Sequence, residues 1–384
     1  MEHTSRSIML VPSLACAAQC TYCFGPNTGT VMDDATLDAA LDWLDATTQQ
    51  HQTLEVCLHG GEPLQAGISW HRRVLPLLQT RFRNRLRLSL QSNLWLMDDA
   101  FCDLFGEHHV SIGVSLDGPE AINDAQRGEG YFARAMRGIA TARRHGLSVN
   151  AICTFTRLSA ARWCEVFDFF RREELTFSIH AAIPTLGQPA SCHIAFTAAE
   201  YADLFIAMFD YYLAHLRHLK ILTFDQLARG AAGNGSLCTF RPCLGRYLTI
   251  SADGGIYPCN RFIPHADWRL GDVQTQPTLE QLSQTHVWQR FHARETEVKH
   301  DCGDCPYFDN CHGGCAYHAF TENVDRRDGF CAAYKRIFAH ITEKAVAQVF
   351  SDENLAAVIK SGMNYKYGLL HKGSLLEIMR GSVT

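Results

Sequence analysis

Cysteine is the residue type most able to do chemistry in this chain. Cys16, Cys20 and Cys23 form C-x3-C-x2-C directly after an apolar run, and Cys238, Cys243, Cys259, Cys302, Cys305, Cys311, Cys315 and Cys331 gather towards the C-terminal half. Three thiolates on one short loop can hold three irons of a [4Fe–4S] cube, leaving the fourth iron without a protein ligand. A cluster that only carries electrons takes four ligands, whereas an open iron serves where a substrate or cofactor must bind. A zinc site closed by a fourth ligand, or chance spacing, are the plainer readings of that loop. The later group contains Cys243-x10-Gly254-x4-Cys259 and Cys302-x2-Cys305-x5-Cys311-x3-Cys315. Paired zinc ribbons are its competing reading.

Other residues of chemical interest stand at the ends of apolar runs. Gly60-Gly61-Glu62-Pro63 follows one run, Gln91-Ser92-Asn93 ends the next, and Ser115-Leu116-Asp117-Gly118 ends another. Each reads equally as a tight or polar turn. Their positions depend on the elements that carry them. Arg6–Pro12, Leu54–Leu58, Leu86–Leu90, Val110–Leu116, Leu147–Phe155 and Leu175–Ile183 read as strands. Helical spacing predicts helices over Asp34–Thr47 (capped by Asp33 or Asp34), Trp70–Arg81, Asp98–Phe105, Tyr131–His145 and Ala160–Arg171, with a stop at Gly146. Six β/α repeats imply a parallel sheet with helices outside it. They are too few for a closed eight-stranded barrel, so an open, partial (β/α)6 barrel is expected. Function in such sheets gathers at the C-terminal strand ends.

After this region, Ala198–Arg217 reads as a long helix, the AAGNGS stretch after Gly230 as a linker, and Leu248–Ser251 with Ile256–Pro258 as a hairpin. Short strands and cysteine loops are expected up to Cys331, then helix to about Lys360 and an irregular tail holding Tyr365, Tyr367 and Gly368. The expected divisions are 1–190 (partial barrel), 191–235 (helical bridge), 236–335 (cysteine-rich domain) and 336–384 (C-terminal helical tail).

Composition narrows the function classes. The chain has 384 residues, 16 of them cysteine, with 35 Lys+Arg against 40 Asp+Glu. That balance argues against holding nucleic acid by bulk charge, and no apolar run reaches the length of a bilayer span. Ile8–Ala18 resembles a signal-peptide core, but Pro12 interrupts it and Glu2 opposes Arg6, so a buried strand is the better reading. A long, core-rich chain does not need disulfide staples, so a reducing, cytoplasmic compartment is expected.

At CAAQCTYCF and GGEP the sequence resembles the radical S-adenosylmethionine (radical SAM) superfamily over residues 6–185. The resemblance implies that S-adenosylmethionine chelates the open iron through its amino and carboxylate groups. It also implies that Gly60, Gly61, Glu62 and Pro63 meet the cofactor's amino group, and that the third and fourth strand ends bind ribose and carboxylate. Asn93 and Ser115 are the candidates there, with Arg127 for the carboxylate. The chemistry implied is one-electron cleavage of the sulfonium C–S bond and hydrogen abstraction by a 5′-deoxyadenosyl radical, with ferredoxin or flavodoxin as reductant. The protein's part is positioning and exclusion of water.

The later cysteines look like the SPASM auxiliary-cluster domain of radical SAM peptide maturases. By resemblance to anaerobic sulfatase maturases, Cys238, Cys243, Cys259 and Cys315 ligate one auxiliary [4Fe–4S] cluster, and Cys302, Cys305, Cys311 and Cys331 the other. That makes three clusters in all, the auxiliary pair having no open iron. Sulfatase maturases carry an acidic residue where this chain has Asn260, which takes no proton at neutral pH. The SPASM resemblance implies a polypeptide substrate, a precursor peptide made by the ribosome, and CFGP (Cys23 to Pro26) is closer to natural-product peptide maturases, which points to splicing by tyramine excision or to side-chain crosslinking. A sulfatase-type protein maturase, a small-molecule radical enzyme and an iron–sulfur electron carrier are the alternatives. With so few residues before the first strand, a separate leader-binding protein is expected, or a surface near the long helix and the C-terminal region. Of the remaining thiols, Cys57, Cys102, Cys153 and Cys164 read as buried apolar residues. Cys192 is the candidate for a thiol or acid/base participant.

Overall fold

The computed structural model describes residues 5–188, 193–216, 218–231, 237–321 and 327–351. Contacts divide the chain into two interleaved units, Met1–Cys153 with Cys243–Ala293 and Thr154–Pro242 with Arg294–Thr384.

In the first unit the strands β1 (Ser5–Ser13), β2 (Thr53–Gly60), β3 (Leu86–Ser92), β4 (Ser111–Ser115) and β5 (Val149–Phe155, whose last two residues fall in the second unit) stand side by side in chain order. All are parallel, with registers such as Leu10↔Leu58, Leu58↔Leu90, Leu90↔Ile112 and Val114↔Ala151. The period-2 pattern buries Leu54, Val56 and Leu58 while Glu55 faces solvent. Helices α1 (Asp34–Thr47), α2 (Gly67–Phe82), α3 (Asp99–Glu107), α4 (Glu120–Arg127) and α5 (Tyr131–Arg144) form the crossovers. Asp33 caps α1 by accepting from Thr36 N–H at 2.7 Å, and Leu37, Leu41 and Leu44 are buried. Gly146 follows α5, as expected.

The hairpin strands β7 (Tyr247–Ile250) and β8 (Gly255–Tyr257) are formed as anticipated, but they also extend this sheet. β7 pairs parallel with β1 (Ser7↔Tyr247, Leu10↔Ile250), covering an edge that would otherwise present unpaired backbone groups. β9 (Gly271–Asp272) follows β8 antiparallel.

The second unit holds α6 (Arg157–Ala160), α7 (Trp163–Arg172), β6 (Phe177–Ala181), α8 (Ala198–Ala214) and α9 (Leu222–Ala231). Ala182 N–H donates to Phe155 O at 2.8 Å beside β6, and Phe170 stacks on Phe177 at 4.1 Å. The single helix expected over Ala160–Arg171 is two, because the Thr156–Ser159 capping box starts a short first turn. The long helix ends at Ala214, with His215 closing it.

α4 and α9 were not foreseen, nor was α11 (His286–Asp301), which follows α10 (Leu279–Ser283) inside the stretch read as loops and short strands. The polar, weakly periodic sequence of α11 hides its helical character. α12 (Phe308–Cys311), α13 (Ala316–Thr321) and α14 (Cys331–Ser351) complete the second unit. The rest of the expected C-terminal helix and the tail with Tyr365, Tyr367 and Gly368 lie outside the described residues. Among the described residues no helix is long and apolar enough to cross a membrane.

Candidate cluster and cofactor site

The loop Cys16–Cys23 leaves the C-terminal end of β1, where parallel-sheet chemistry is expected. Its backbone is held from several directions. Cys16 N–H donates to Asn27 Oδ1 at 2.8 Å, and Cys23 N–H to Cys20 O at 3.1 Å. Thr21 N–H and Gln19 N–H donate to the carbonyls of Gln126 and Arg127 at 2.8 and 3.3 Å. Two donors face sulfur: Gly25 N–H lies 3.4 Å from Cys23 Sγ and Arg127 Nη1 lies 3.9 Å from Cys20 Sγ. Burial pushes the Cys16 thiol up to about 11 and the Cys20 thiol up to about 12, with Arg127 pulling Cys20 the other way.

Gly60-Gly61-Glu62-Pro63 lies against this loop. Gly61 N–H donates to Ser13 O and Glu62 N–H to Ala15 O, at 3.1 and 2.8 Å. Gly61 is required by close approach, since a Cβ there would fall 2.5 Å from Leu14 O and 2.6 Å from Ala15 O. Glu62 is 2% exposed and accepts from Leu64 N–H (3.0 Å), Ser92 Oγ (2.7 Å) and Asn93 N–H (2.8 Å). It thereby ties the turn to the end of β3, and burial pushes its carboxyl up to about 7. Asn93 is buried, with its Oδ1 accepting from Trp95 N–H at 2.9 Å. Ser115 Oγ accepts from Gln91 Nε2 at 2.9 Å, joining the ends of β3 and β4.

Arg127 ends α4 and is buried between the rings of Tyr22 and Tyr131, 5.4 and 5.3 Å from their centroids. The carboxylate it holds is the chain's own: Nη2 meets Asp117 Oδ1 at 2.8 Å, with Asp117 fully buried. Asp117 also accepts from Tyr22 Oη at 2.5 Å and Gln126 Nε2 at 2.8 Å. Sequence reasoning missed this knot, although Asp117 stands in the same strand-end motif as Ser115. His59 Nδ1 accepts from Gly60 N–H at 2.6 Å, and burial drives the ring down to about 4. His180 is exposed on β6. Asn260 is buried beside Cys259, whose Sγ donates to Asn260 Oδ1 at 3.2 Å. The next residue, Arg261, stacks on Phe24 at 4.6 Å.

In the second unit Cys302, Cys305, Cys311 and Cys331 line one open cavity, together with Tyr307, Phe308 and Tyr334. Burial pushes Cys311 up to about 12. Cys238 is exposed and Cys315 half-buried in this unit, while Cys243 and Cys259 are half-buried in the first. Cys57 is half-buried and Cys102 and Cys153 buried, but Cys164, expected to be buried, is exposed on the outer face of α7. Cys192 lies outside the described residues.

Residues 10–170 match the Radical SAM superfamily model and residues 238–306 the SPASM iron–sulfur cluster-binding domain. The chain belongs to the radical SAM superfamily. An uncharacterised protein of Methanothermobacter thermautotrophicus is 40% identical to this radical SAM chain over 226 residues, 58% of this chain and 86% of that one. The cysteine-type anaerobic sulfatase-maturating enzyme of Clostridium perfringens is 23% identical over 357 residues, 87% of this chain and 95% of that one. The serine-type enzyme of Klebsiella aerogenes is 27% identical over 343 residues, 85% and 82% of the two chains. Among solved structures, native anSMEcpe with bound AdoMet and Cp18Cys peptide has a TM-score of 0.78 at 22% identity, covering 88% of this chain and 97% of that chain. Streptococcus suis SuiB bound to its precursor peptide SuiA has a TM-score of 0.63 at 14% identity, covering 85% and 75%. At these identities the structures speak for the fold.

Radical SAM and SPASM domains imply S-adenosylmethionine and iron–sulfur clusters. The residues of this radical SAM chain fit such groups by donor chemistry. Every described cysteine is a free thiol. The N–H groups aimed at Cys20 and Cys23 strengthen when the sulfurs are metal-bound thiolates. Among the described residues no three His, Cys, Asp or Glu side chains close on a single ion, so the fit rests on the thiols, their shared loop and these donors.

Proposed function

We propose that this protein uses S-adenosylmethionine radical chemistry to modify a polypeptide, namely a ribosomally made precursor peptide, by tyramine excision or side-chain crosslinking. The observation that carries the reading is the three-cysteine loop at the end of β1, knitted to the GGEP turn and to the ends of β3 and β4. When bound, a [4Fe–4S] cluster and S-adenosylmethionine supply one-electron C–S cleavage and a carbon radical that abstracts hydrogen. Cys16, Cys20 and Cys23 would hold the cluster. The Gly60–Pro63 backbone and the Glu62 side chain would meet the cofactor's amino group, and Asn93 and Ser115 its ribose and carboxylate. Arg127, whose Nη2 is paired with Asp117, would meet the cofactor's carboxylate and also holds Cys20 and Tyr22 in place. Cys302, Cys305, Cys311 and Cys331 would hold one auxiliary cluster, and Cys238, Cys243, Cys259 and Cys315 the other. The cavity shared by the first four supports that assignment. A reductant such as ferredoxin or flavodoxin and a separate leader-binding protein are the proposed partners.

Sulfatase-type maturation is the second reading, favoured by the named relatives. Asn260 weighs against it, since an amide offers no base. The test is anaerobic incubation with dithionite, S-adenosylmethionine and candidate peptides, followed by mass spectrometry. Loss of tyramine indicates splicing, loss of two hydrogens a crosslink, and gain of an aldehyde sulfatase-type maturation. Fully loaded protein that forms no 5′-deoxyadenosine would sink the radical reading.

A further inference from the structure

The sequence motifs leave one buried polar centre unexplained. Asp328, 2% exposed, occupies no cysteine spacing and no strand end. All its acceptor capacity is filled by four donors. Oδ1 receives His318 Nδ1 and Phe330 N–H, each at 2.7 Å, and Oδ2 receives Cys315 N–H at 2.7 Å and Tyr334 Oη at 3.0 Å. Its backbone is equally committed. Asp328 N–H donates to Gly313 O at 3.0 Å, and Asp328 O accepts from Cys331 N–H at 2.9 Å, at the start of α14. Arg294 clamps the same turn from the other side, with Nη2 2.8 Å from Gly313 O and 3.2 Å from Gly314 O. The approach is so close that a Cβ on Gly314, whose φ is +72°, would fall 2.4 Å from Asp328 Cβ.

We propose that Asp328 is a positioning residue for both auxiliary clusters. One buried carboxylate residue fixes the Gly313–Cys315 turn and the start of α14 together, and so sets Cys315 relative to Cys311 and Cys331. The inference rests on the ligand assignment proposed above, in which Cys315 serves one cluster and Cys311 and Cys331 the other. Asp328 need not ligate iron to do this. Its backbone reaches Gly313, two residues after Cys311, and Cys331, while its side chain reaches Cys315.

The test uses the full chain with Cys16→Ala, Cys20→Ala and Cys23→Ala, so that only the auxiliary clusters are read; that parent should bind about eight irons. Asp328→Asn is compared with it by iron content, by the electron paramagnetic resonance spectrum after reduction, and by redox titration. Asp328→Asn keeps the shape of the residue but turns an amide towards donors that need an acceptor. The expected result is folded protein by circular dichroism in which both auxiliary signals change together, in line shape and midpoint potential or in joint loss of iron. His318→Gln leaves the carboxylate in place and alters one donor, so it should move the same signals less. Folded Asp328→Asn with its parent's iron, spectra and potentials overturns the proposal, as does a change confined to one signal. Should Asp328→Asn fail to fold, unchanged signals in His318→Gln overturn it instead. A parent binding almost no iron with all eight cysteines intact would overturn the ligand assignment itself.

Discussion

Replacing Asp117 by Asn tests whether the buried charge knot beneath the cysteine loop stabilises that loop. Asp117 is 0% and Arg127 6% exposed, and their 2.8 Å contact is joined by Tyr22 Oη and Gln126 Nε2 on the same carboxylate. The substitution keeps the volume but removes the charge, leaving a guanidinium buried among Tyr22, Tyr131 and Cys20. Removing one member of a buried pair costs about 3–5 kcal/mol, because the other charge stays desolvated. With a urea slope of about 1–3 kcal/mol per molar, the unfolding midpoint should fall by at least about 1 M. The damage should be local too: Tyr22 loses its anchor, and the Arg127 side chain is freed to leave Cys20. Urea unfolding of anaerobically reconstituted protein, with iron release followed on the same samples, measures both effects. Adding Arg127→Met removes the stranded cation, so the double variant should be more stable than Asp117→Asn alone. A cost below about 1 kcal/mol, or single-variant costs that simply add in the double variant, would refute the reasoning.

Three further outcomes are expected. Replacing Cys16, Cys20 and Cys23 together by Ala should lower iron from about twelve to about eight per chain and abolish formation of 5′-deoxyadenosine; a loss of all iron would show that the loop and the later cysteines do not bind independently. Gly61→Ala places a Cβ 2.5 Å from Leu14 O, so the segment entering the cysteine loop must shift and iron should fall by up to about four. Gly29→Ala, with nothing within 4 Å of its Cβ, is the control that should keep full iron. His71 is buried among Trp70, Phe101 and Phe105, and burial lowers it to about 4. Below about pH 6.5 the unfolded chain takes a proton that the native ring refuses, so stability falls between about 6.5 and 4, by up to about 3 kcal/mol. His71→Phe should flatten that part of the pH profile of the urea midpoint, and an unchanged slope would count against the assignment.

Strand and helix positions in the first half were legible because they rest on local periodicity. The Leu54-Val56-Leu58 alternation and the Leu37-Leu41-Leu44 face each report the side they bury. α11 was not legible, because its sequence is polar with weak periodicity and it is held by a few anchors such as Val287, Phe291 and Val298. The cysteine spacings announced metal chemistry from sequence, because ligands must cluster on loops. The residues beneath those loops did not announce themselves. Arg127 reads as a carboxylate binder, and only the fold shows that Asp117, ten residues back in sequence, meets its Nη2. Asp328 belongs to none of the sequence motifs, and only the fold packs Gly314 on it and brings Cys315 N–H to its carboxylate. The pairing of β7 with β1 is likewise a long-range contact that no local pattern encodes.

The electrostatic surroundings of the cysteine loop bear on which reaction it can support. The charged side chains that act on Cys16 and Cys20 include Glu62, Asp117 and Arg127. Glu62 already accepts three hydrogen bonds, and Asp117 is paired. His59 is neutral at pH 7, and the Gly60 N–H occupies Nδ1, which leaves the ring proton on Nε2 as a donor. Asn260, one residue from the Arg261 that covers Phe24, cannot ionise. A crosslink that loses two hydrogens gives up the second as a proton and an electron, as does oxidation to an aldehyde; the crosslink can place its proton acceptor elsewhere, whereas the sulfatase-type reaction, by resemblance, needs an acidic residue at the Asn260 position. The Asn260→Asp variant separates these requirements. It should leave 5′-deoxyadenosine formation and the native peptide product within about twofold of the parent, since no acid is in use at that position. A large gain in aldehyde product on a sulfatase-derived peptide would instead mean that this scaffold lacks only the base, and the sulfatase-type reading would then replace the peptide-splicing one.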